Sequence, residues 1–282
     1  NAVFLIATGL VKKVVISDYI SVNFVDRVFD APEIYCGFLN LVAVYGYSIQ
    51  IYCDFSGYSD MAIGIAALLG FKLPINFNSP YKSKSITEFW RRWHISLSTW
   101  LRDYLYISIG GNRKGKIRTY INLLITMLLG GLWHGAALKF IIWGGIHGLG
   151  LAIHKFWSSL IKVRKNFLWS FLSMLITFHF VAFCWMYFRA IDIKTVDTMI
   201  HKIFFDFDIS GITNRIAGYW KPMSLIVFGF FIHLLPYRFK ESLKNLFSNM
   251  PIYLQVVGIS VLIFIIYQAK SAEIQPFIYF QF

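Results

Sequence analysis

Charge is scarce in this chain. Only 15% of its 282 residues are Asp, Glu, Lys or Arg, against about a quarter in ordinary soluble chains. Hydrophobic residues make up 57% and aromatic residues 19%, and the mean hydropathy is +0.58. This balance excludes a cytosolic globular enzyme, a disordered tail and a secreted disulfide scaffold. Acidic residues are scarcer than basic ones, 14 against 27, for a net charge of +13. Cysteine is nearly absent: Cys36, Cys53 and Cys184 sit in or beside apolar segments, with no CxxC or Cys/His ligand spacing, so neither a disulfide framework nor a metal site is expected. No GxSxG, Walker or GxGxxG motif occurs, and the glycines of 143–150 (WGGIHGLG) read as close helix packing.

What is present is a series of long apolar runs. They are continuous rather than ten-residue alternations, which favours an all-α, polytopic transmembrane protein over a β-barrel. A spanning helix needs about 20 mostly apolar residues. The candidates are 1–11 (the tail of a span), 35–53, 58–71, 119–134, 138–154, 167–189, 222–236 and 252–269. The chain begins at Asn1 already inside membrane-like sequence, so an N-terminal truncation is expected. A single domain over 1–282 is expected, since no linker or repeat interrupts the pattern.

The basic residues fall mostly in short connections between these runs. Positive-inside topology therefore explains the net charge better than nucleic-acid binding, and no nucleic-acid partner is expected. Residues 110–118 (GGNRKGKIR) and Lys155, Lys162, Arg164 and Lys165 flank the pair 119–134 and 138–154 without an acid. Both flanks are placed on the cytoplasmic side. Residues 190–221, of mixed charge, then fall outside, and Arg238, Lys240 and Lys244 inside again.

One segment breaks this alternation. Residues 86–109 have helical periodicity yet carry Glu88, Arg91, Arg92, His94, Arg102 and Asp103. That charge is too costly for a lipid-facing span, so the segment is expected to dip in from the cytoplasmic side and return. Ser85 and Glu88 form an S-x-x-E capping box at its start. Trp90, Trp93, Leu97, Trp100 and Tyr104 then share one helical face, and Arg91, His94, Ser98 and Arg102 another. A cationic, His-bearing face beside a cavity suits an anionic ligand; the same pattern also suits an interfacial helix with snorkelling arginines.

A second histidine stands out at 129–135 (LGGLWHG), where three glycines surround His134 at the far end of a short apolar helix. A buried neutral imidazole at a helix break can act as a general base; equally, it can pack through a hydrogen bond. His147 and His154 are seven residues apart, and they, His179 and His233 read as interhelical or interfacial groups. Asp54 and Asp60, near membrane depth, are expected to pair with Arg91, Arg92 or Arg102. The run 110–114 (GGNRK) has the makings of an anion-binding turn.

Three stretches carry a resemblance: QIYCDFSGYSDMAIGIAALLGFKLPINFNSPY, FWRRWHISLSTWLRDYLYISIGGNRKG and NLLITMLLGGLWHGAALKFIIWGGIHG. Together, in order through 50–154, they closely resemble the membrane-bound O-acyltransferase (MBOAT) superfamily, in the branch that O-acetylates bacterial alginate. Cys53 stands where that family has an aromatic or aliphatic residue. The resemblance implies short, tilted and re-entrant helices around a funnel or tunnel in the bacterial inner (cytoplasmic) membrane. It implies that His134, in the WHG motif, is the main catalytic histidine and His94, in the RRWH motif, the second. No bound cofactor is implied; the acyl donor would be a substrate, acetyl-CoA or another thioester, held at its phosphates by Arg91, Arg92, Arg113 and Lys114. Membrane lipid surrounds such a protein, its acceptor is an extracellular or periplasmic polysaccharide, and an SGNH-hydrolase-like transferase is the expected partner. Family members extend further at the N-terminus, so the chain would be the C-terminal part of a longer protein, inactive by itself. Peptidoglycan, cellulose or D-alanyl transfer on the same fold, a transporter and a membrane scaffold are the alternatives.

Overall fold

The computed structural model describes residues 1–160, 166–269 and 277, and every regular element among them is helical. The basic residues Lys162, Arg164 and Lys165 and most of the FIYFQF terminus lie outside the described residues. The chain divides into two units, Asn1–Ile75 with Thr198–Phe282, and Asn76–Asp197.

The first unit opens with a helical run. Ala2–Leu10 (α1) continues through π-helical turns Val11–Asp18 and Ser21–Val25 into Asp26–Asp30 (α2). Gly37–Leu68 (α3) packs against it. Two of the expected spans, 35–53 and 58–71, are therefore one helix. The acids Asp54 and Asp60 do not break it because each is paired with a lysine. Asp54, 1% exposed, receives Lys13 Nζ at 2.7 Å, which also meets Asp18 at 2.8 Å. Lys12 meets Asp60 at 2.5 Å. The expected pairing of Asp54 and Asp60 with Arg91, Arg92 or Arg102 is thus replaced: lysines on a π-helical turn reach them first. A π-turn is rare and often marks a special site; here it brings Lys13 to two carboxylates. At 1.5 Å per residue, the 32 residues of α3 span about 48 Å, more than a bilayer's hydrocarbon core needs.

The same unit holds most of Ile193–Phe205 (α9), then Ile212–Gly218 (α10), Trp220–Leu234 (α11), Tyr237–Asn249 (α12) and Ile252–Ala269 (α13). Pro236 N-caps α12, and α11 and α12 bend by 96° at the break. Proline cannot continue a helix with its backbone N–H.

The second unit holds Ile86–Trp90 (α4), Ile95–Trp100 (α5), a π-turn Leu101–Tyr106, Lys116–His134 (α6), Leu138–Leu160 (α7) and Phe167–Arg189 (α8). The last three match the expected 119–134, 138–154 and 167–189. Phe167–Arg189 is, among the described residues, the one helix long and apolar enough by itself to cross a membrane; the bent pair α11–α12 passes the same test jointly. Helices α6 and α7 cross at backbone contact. A Cβ on Gly131 would lie 2.2 Å from the Phe140 carbonyl oxygen, and one on Gly144 the same distance from that of Met127. Only glycine permits this approach.

Candidate functional site

Residues 86–109 are not the continuous helix that their periodicity predicts. Ser85 Oγ does accept from the Glu88 N–H at 3.1 Å, so the capping box starts α4. The helix then breaks over residues 91–94, and His94 takes a left-handed conformation at φ 41°. Outside glycine this region is sparsely populated, although histidine visits it more than most. Residues 76–78 over-determine it. Asn78 N–H donates to the Arg92 carbonyl and Ile95 N–H to that of Asn76, while Asn76 Oδ1 accepts from Ser96 N–H and Oγ. The expected shared faces consequently split: Trp93 is buried against Phe77 and Trp185, whereas Trp100 and Tyr104 are exposed.

His134 ends α6, buried at 8% exposure. Its ring lies 5.0 Å from Trp133, 5.2 Å from Trp143 and 5.1 Å from Phe188, each edge to face. His94 comes to the same neighbourhood, its ring 6.4 Å from Trp133, with Nδ1 3.4 Å from Ser96 Oγ. Two histidines forty residues apart therefore meet one indole.

Residues of α4, α5, α6 and α7 line an open cavity of about 700 Å³. Arg91, Arg102 and Lys155 line it with Asn112, His154 and Ser158, and no carboxylate does among the described residues. His154 Nδ1 is 3.3 Å from Thr87 Oγ1, and Ser158 Oγ donates to the His154 carbonyl. The cavity reaches α6 at Leu123, Thr126 and Met127. His134 stands seven residues further on, about 10 Å along the helix.

The four cations expected around an anion separate. Arg91 lines the cavity. Arg92 turns to Glu88 at 2.8 Å and to the Asn78 carbonyl. Arg113 and Lys114 are exposed on the loop and are not part of the cavity wall. That loop does not offer its glycine amides to an anion either: Gly110 N–H donates to Ile107 and Gly111 N–H to Tyr106. Arg102 and Lys155 are cavity residues that sequence reasoning did not select. Arg102 was legible on the polar face with Arg91; Lys155 read only as a charge flanking a span.

Sequence comparison places these two motifs in a family. Residues 2–192 match the model of the MBOAT, membrane-bound O-acyltransferase, family. The chain belongs to that family. It is 50% identical over 198 residues to the probable alginate O-acetylase AlgI of Pseudomonas aeruginosa, covering 70% of this chain and 37% of the relative. It is 46% identical over 192 residues to the peptidoglycan O-acetyltransferase of Helicobacter pylori, 68% and 36% of the two chains. To the teichoic acid D-alanyltransferase of Bacillus subtilis it is 37% identical over 158 residues, 51% and 39%. The chain thus matches little more than a third of each relative's length, which fits the expected partial match.

Proposed function

We propose that the protein to which this chain belongs is a multi-pass O-acyltransferase of the bacterial cytoplasmic membrane, transferring an acyl group at His134. The observation that carries the reading is the meeting of His94 and His134 at Trp133. In the reaction the acceptor hydroxyl oxygen attacks the acyl carbonyl carbon and a C–O bond forms. The C–S bond breaks, and His134 moves the hydroxyl proton to the departing thiolate. His94 donates a hydrogen bond to the carbonyl oxygen as negative charge develops there. The cavity receives the phosphates of a cytoplasmic donor such as acetyl-CoA at Arg91 and Lys155, since cations favour an anionic group; Arg102 is held by the Asp103 carboxylate at 2.7 Å.

The whole chain forms one transmembrane domain in this reading. Residues 86–109 dip into it from the cytoplasmic side, and a tunnel carries the acyl group outward. The acceptor is an extracellular or periplasmic polysaccharide, alginate or peptidoglycan, reached through an SGNH-hydrolase-like partner. Relatives named for alginate, peptidoglycan and teichoic acid support acyl transfer to a cell-envelope polymer and leave the polymer to experiment.

The test is polymer ester content in cells that lack the native gene and carry the full-length protein as wild type, His134→Ala or His94→Ala at matched membrane levels. Loss of ester in His134→Ala is expected. Normal ester there would demote His134 to packing and reopen the transporter and scaffold readings.

A further inference from the structure

His147, on α7, is fully buried, and neither ring nitrogen has a hydrogen-bond partner among the described residues. The same holds for the indole N–H groups of Trp90, Trp143 and Trp185. These rings are neighbours. The His147 ring lies 4.8 Å from Trp143, 5.1 Å from Trp90 and 6.5 Å from Trp185, and the two indoles of Trp90 and Trp143 are 5.8 Å apart. An indole can only donate, and a neutral imidazole donates once and accepts once. Four donors and one acceptor therefore share a cluster whose other walls, Phe89 and Phe180, supply no lone pair. Contacts of N–H with aromatic faces are second-order and do not replace a hydrogen bond. A buried polar group without a partner is rare enough that each instance calls for an occupant or a function.

The cluster's position makes the instance informative. Trp143 touches the His134 ring edge-on, at 5.2 Å and 90°. Trp90 lines the basic cavity on the other side. The same indoles that lack an acceptor thus stand between that cavity and His134. A group that relieves this imbalance brings oxygen lone pairs to two of the donors and one proton to the imidazole acceptor. Water does both, and buried water commonly makes about three such bonds.

We propose that the Trp90–Trp143–Trp185–His147 cluster holds an ordered water, and that His147 is a positioning residue for His134, acting through that water and Trp143. The proposal rests on the reading of His134 as the acyl-transfer base. His147 accepts from the water, the water accepts from the Trp143 N–H and one further indole N–H, and the Trp143 plane is fixed where it meets the His134 edge.

The test uses the full-length enzyme in lipid nanodiscs. A structure of the wild type resolving internal waters is expected to show one within hydrogen-bond distance of a His147 ring nitrogen. His147→Phe keeps the ring's shape and removes both nitrogens. It is expected to lower kcat at least about tenfold with donor KM within about twofold, and His147→Gln to restore part of kcat. A purely packing histidine would give Phe the wild-type kcat. That result, or a dry cluster in the wild type, overturns the proposal; should the Phe variant not fold, the wild-type water decides alone. His134→Ala in the same assay keeps the two readings apart: activity retained there removes the base assignment, whereas the water tests the cluster independently.

Discussion

Lys13 Nζ reaches Asp54 Oδ1 at 2.7 Å with side chains only 8% and 1% exposed, so a full ion pair is enclosed between a π-helical turn and the middle of α3. A buried pair adds little net stability, because desolvating two charges offsets their attraction. Breaking it is another matter, since an orphaned charge remains. Lys13→Met is expected to destabilise the full-length protein by roughly 3–5 kcal/mol. Lys13→Met with Asp54→Leu should recover part of that loss, the remainder reflecting Asp18, which Lys13 also holds. Thermal melting in detergent, with membrane yield alongside, checks both. A double variant as unstable as the single would show that the pair contributes by more than charge balance.

The lysine pair also shows what could be read from sequence and what could not. The spans 119–134, 138–154 and 167–189 were legible because apolar runs bounded by charge are long-range signals that neighbours do not overturn. The capping box at Ser85 was legible because it is local. The break at His94 was not: residues 85–104 have unbroken helical spacing, and what stops the helix is Asn76 and Asn78, roughly twenty residues upstream, bonding across it. Nor was the continuity of α3, since Asp54, Ser56 and Gly57 look like a break until Lys13 is seen to pair inside. Histidines 94 and 134 were legible as motifs; their meeting at Trp133 depends on tertiary placement that spacing does not encode.

The crossing of α6 and α7 sets where His134 stands. A methyl group at Gly131 would lie 2.2 Å from the Phe140 carbonyl oxygen, and this neighbour is backbone and cannot turn aside. Gly131→Ala is therefore expected to push the helices apart, at a cost of about 1–3 kcal/mol, and to lose most acyl transfer even where protein accumulates. Gly145→Ala is the control: its new methyl would meet only the Leu128 side chain at 3.5 Å, an ordinary contact. Equal loss in both variants would argue against close approach as the cause.

Outside the helices, Asp208 is the clearest titration. Its carboxylate accepts from Ser210 N–H at 2.7 Å, from Ser210 Oγ and from Arg215. These donors, the backbone N–H first, hold its pKa down at about 2. A depressed carboxylate stabilises its surroundings above its unfolded pKa of about 4, and the contribution drains away as pH falls through about 4 toward 2. Hydrogen exchange over residues 209–215 of the full-length protein should stay slow from neutral pH down to about 4, after correction for intrinsic rates, then quicken. Asp208→Asn should quicken it already at neutral pH. Identical exchange in the two proteins would show that the turn is held by its backbone alone.

The cavity cations separate phosphate binding from simple topology. Arg91 and Lys155 line it, whereas Arg113 and Lys114 sit exposed on the neighbouring loop. Each charge-assisted hydrogen bond to a phosphate is worth about 1.5–3 kcal/mol. Arg91→Gln or Lys155→Gln should accordingly raise the donor KM about tenfold or more with kcat little changed, because the bond exists before and during the transition state alike. Arg113→Gln and Lys114→Gln should change KM less than about twofold, the residual effect being long-range attraction that salt screens. Arg92→Gln tests a different cause: it removes the partner of Glu88 and the tie to Asn78 that hold the break before His94. It should lower kcat rather than raise KM. Steady-state kinetics of the full-length enzyme in membranes, at low and high salt, distinguishes the three patterns, and a KM effect confined to Arg113 and Lys114 would move the donor site from the cavity to the loop.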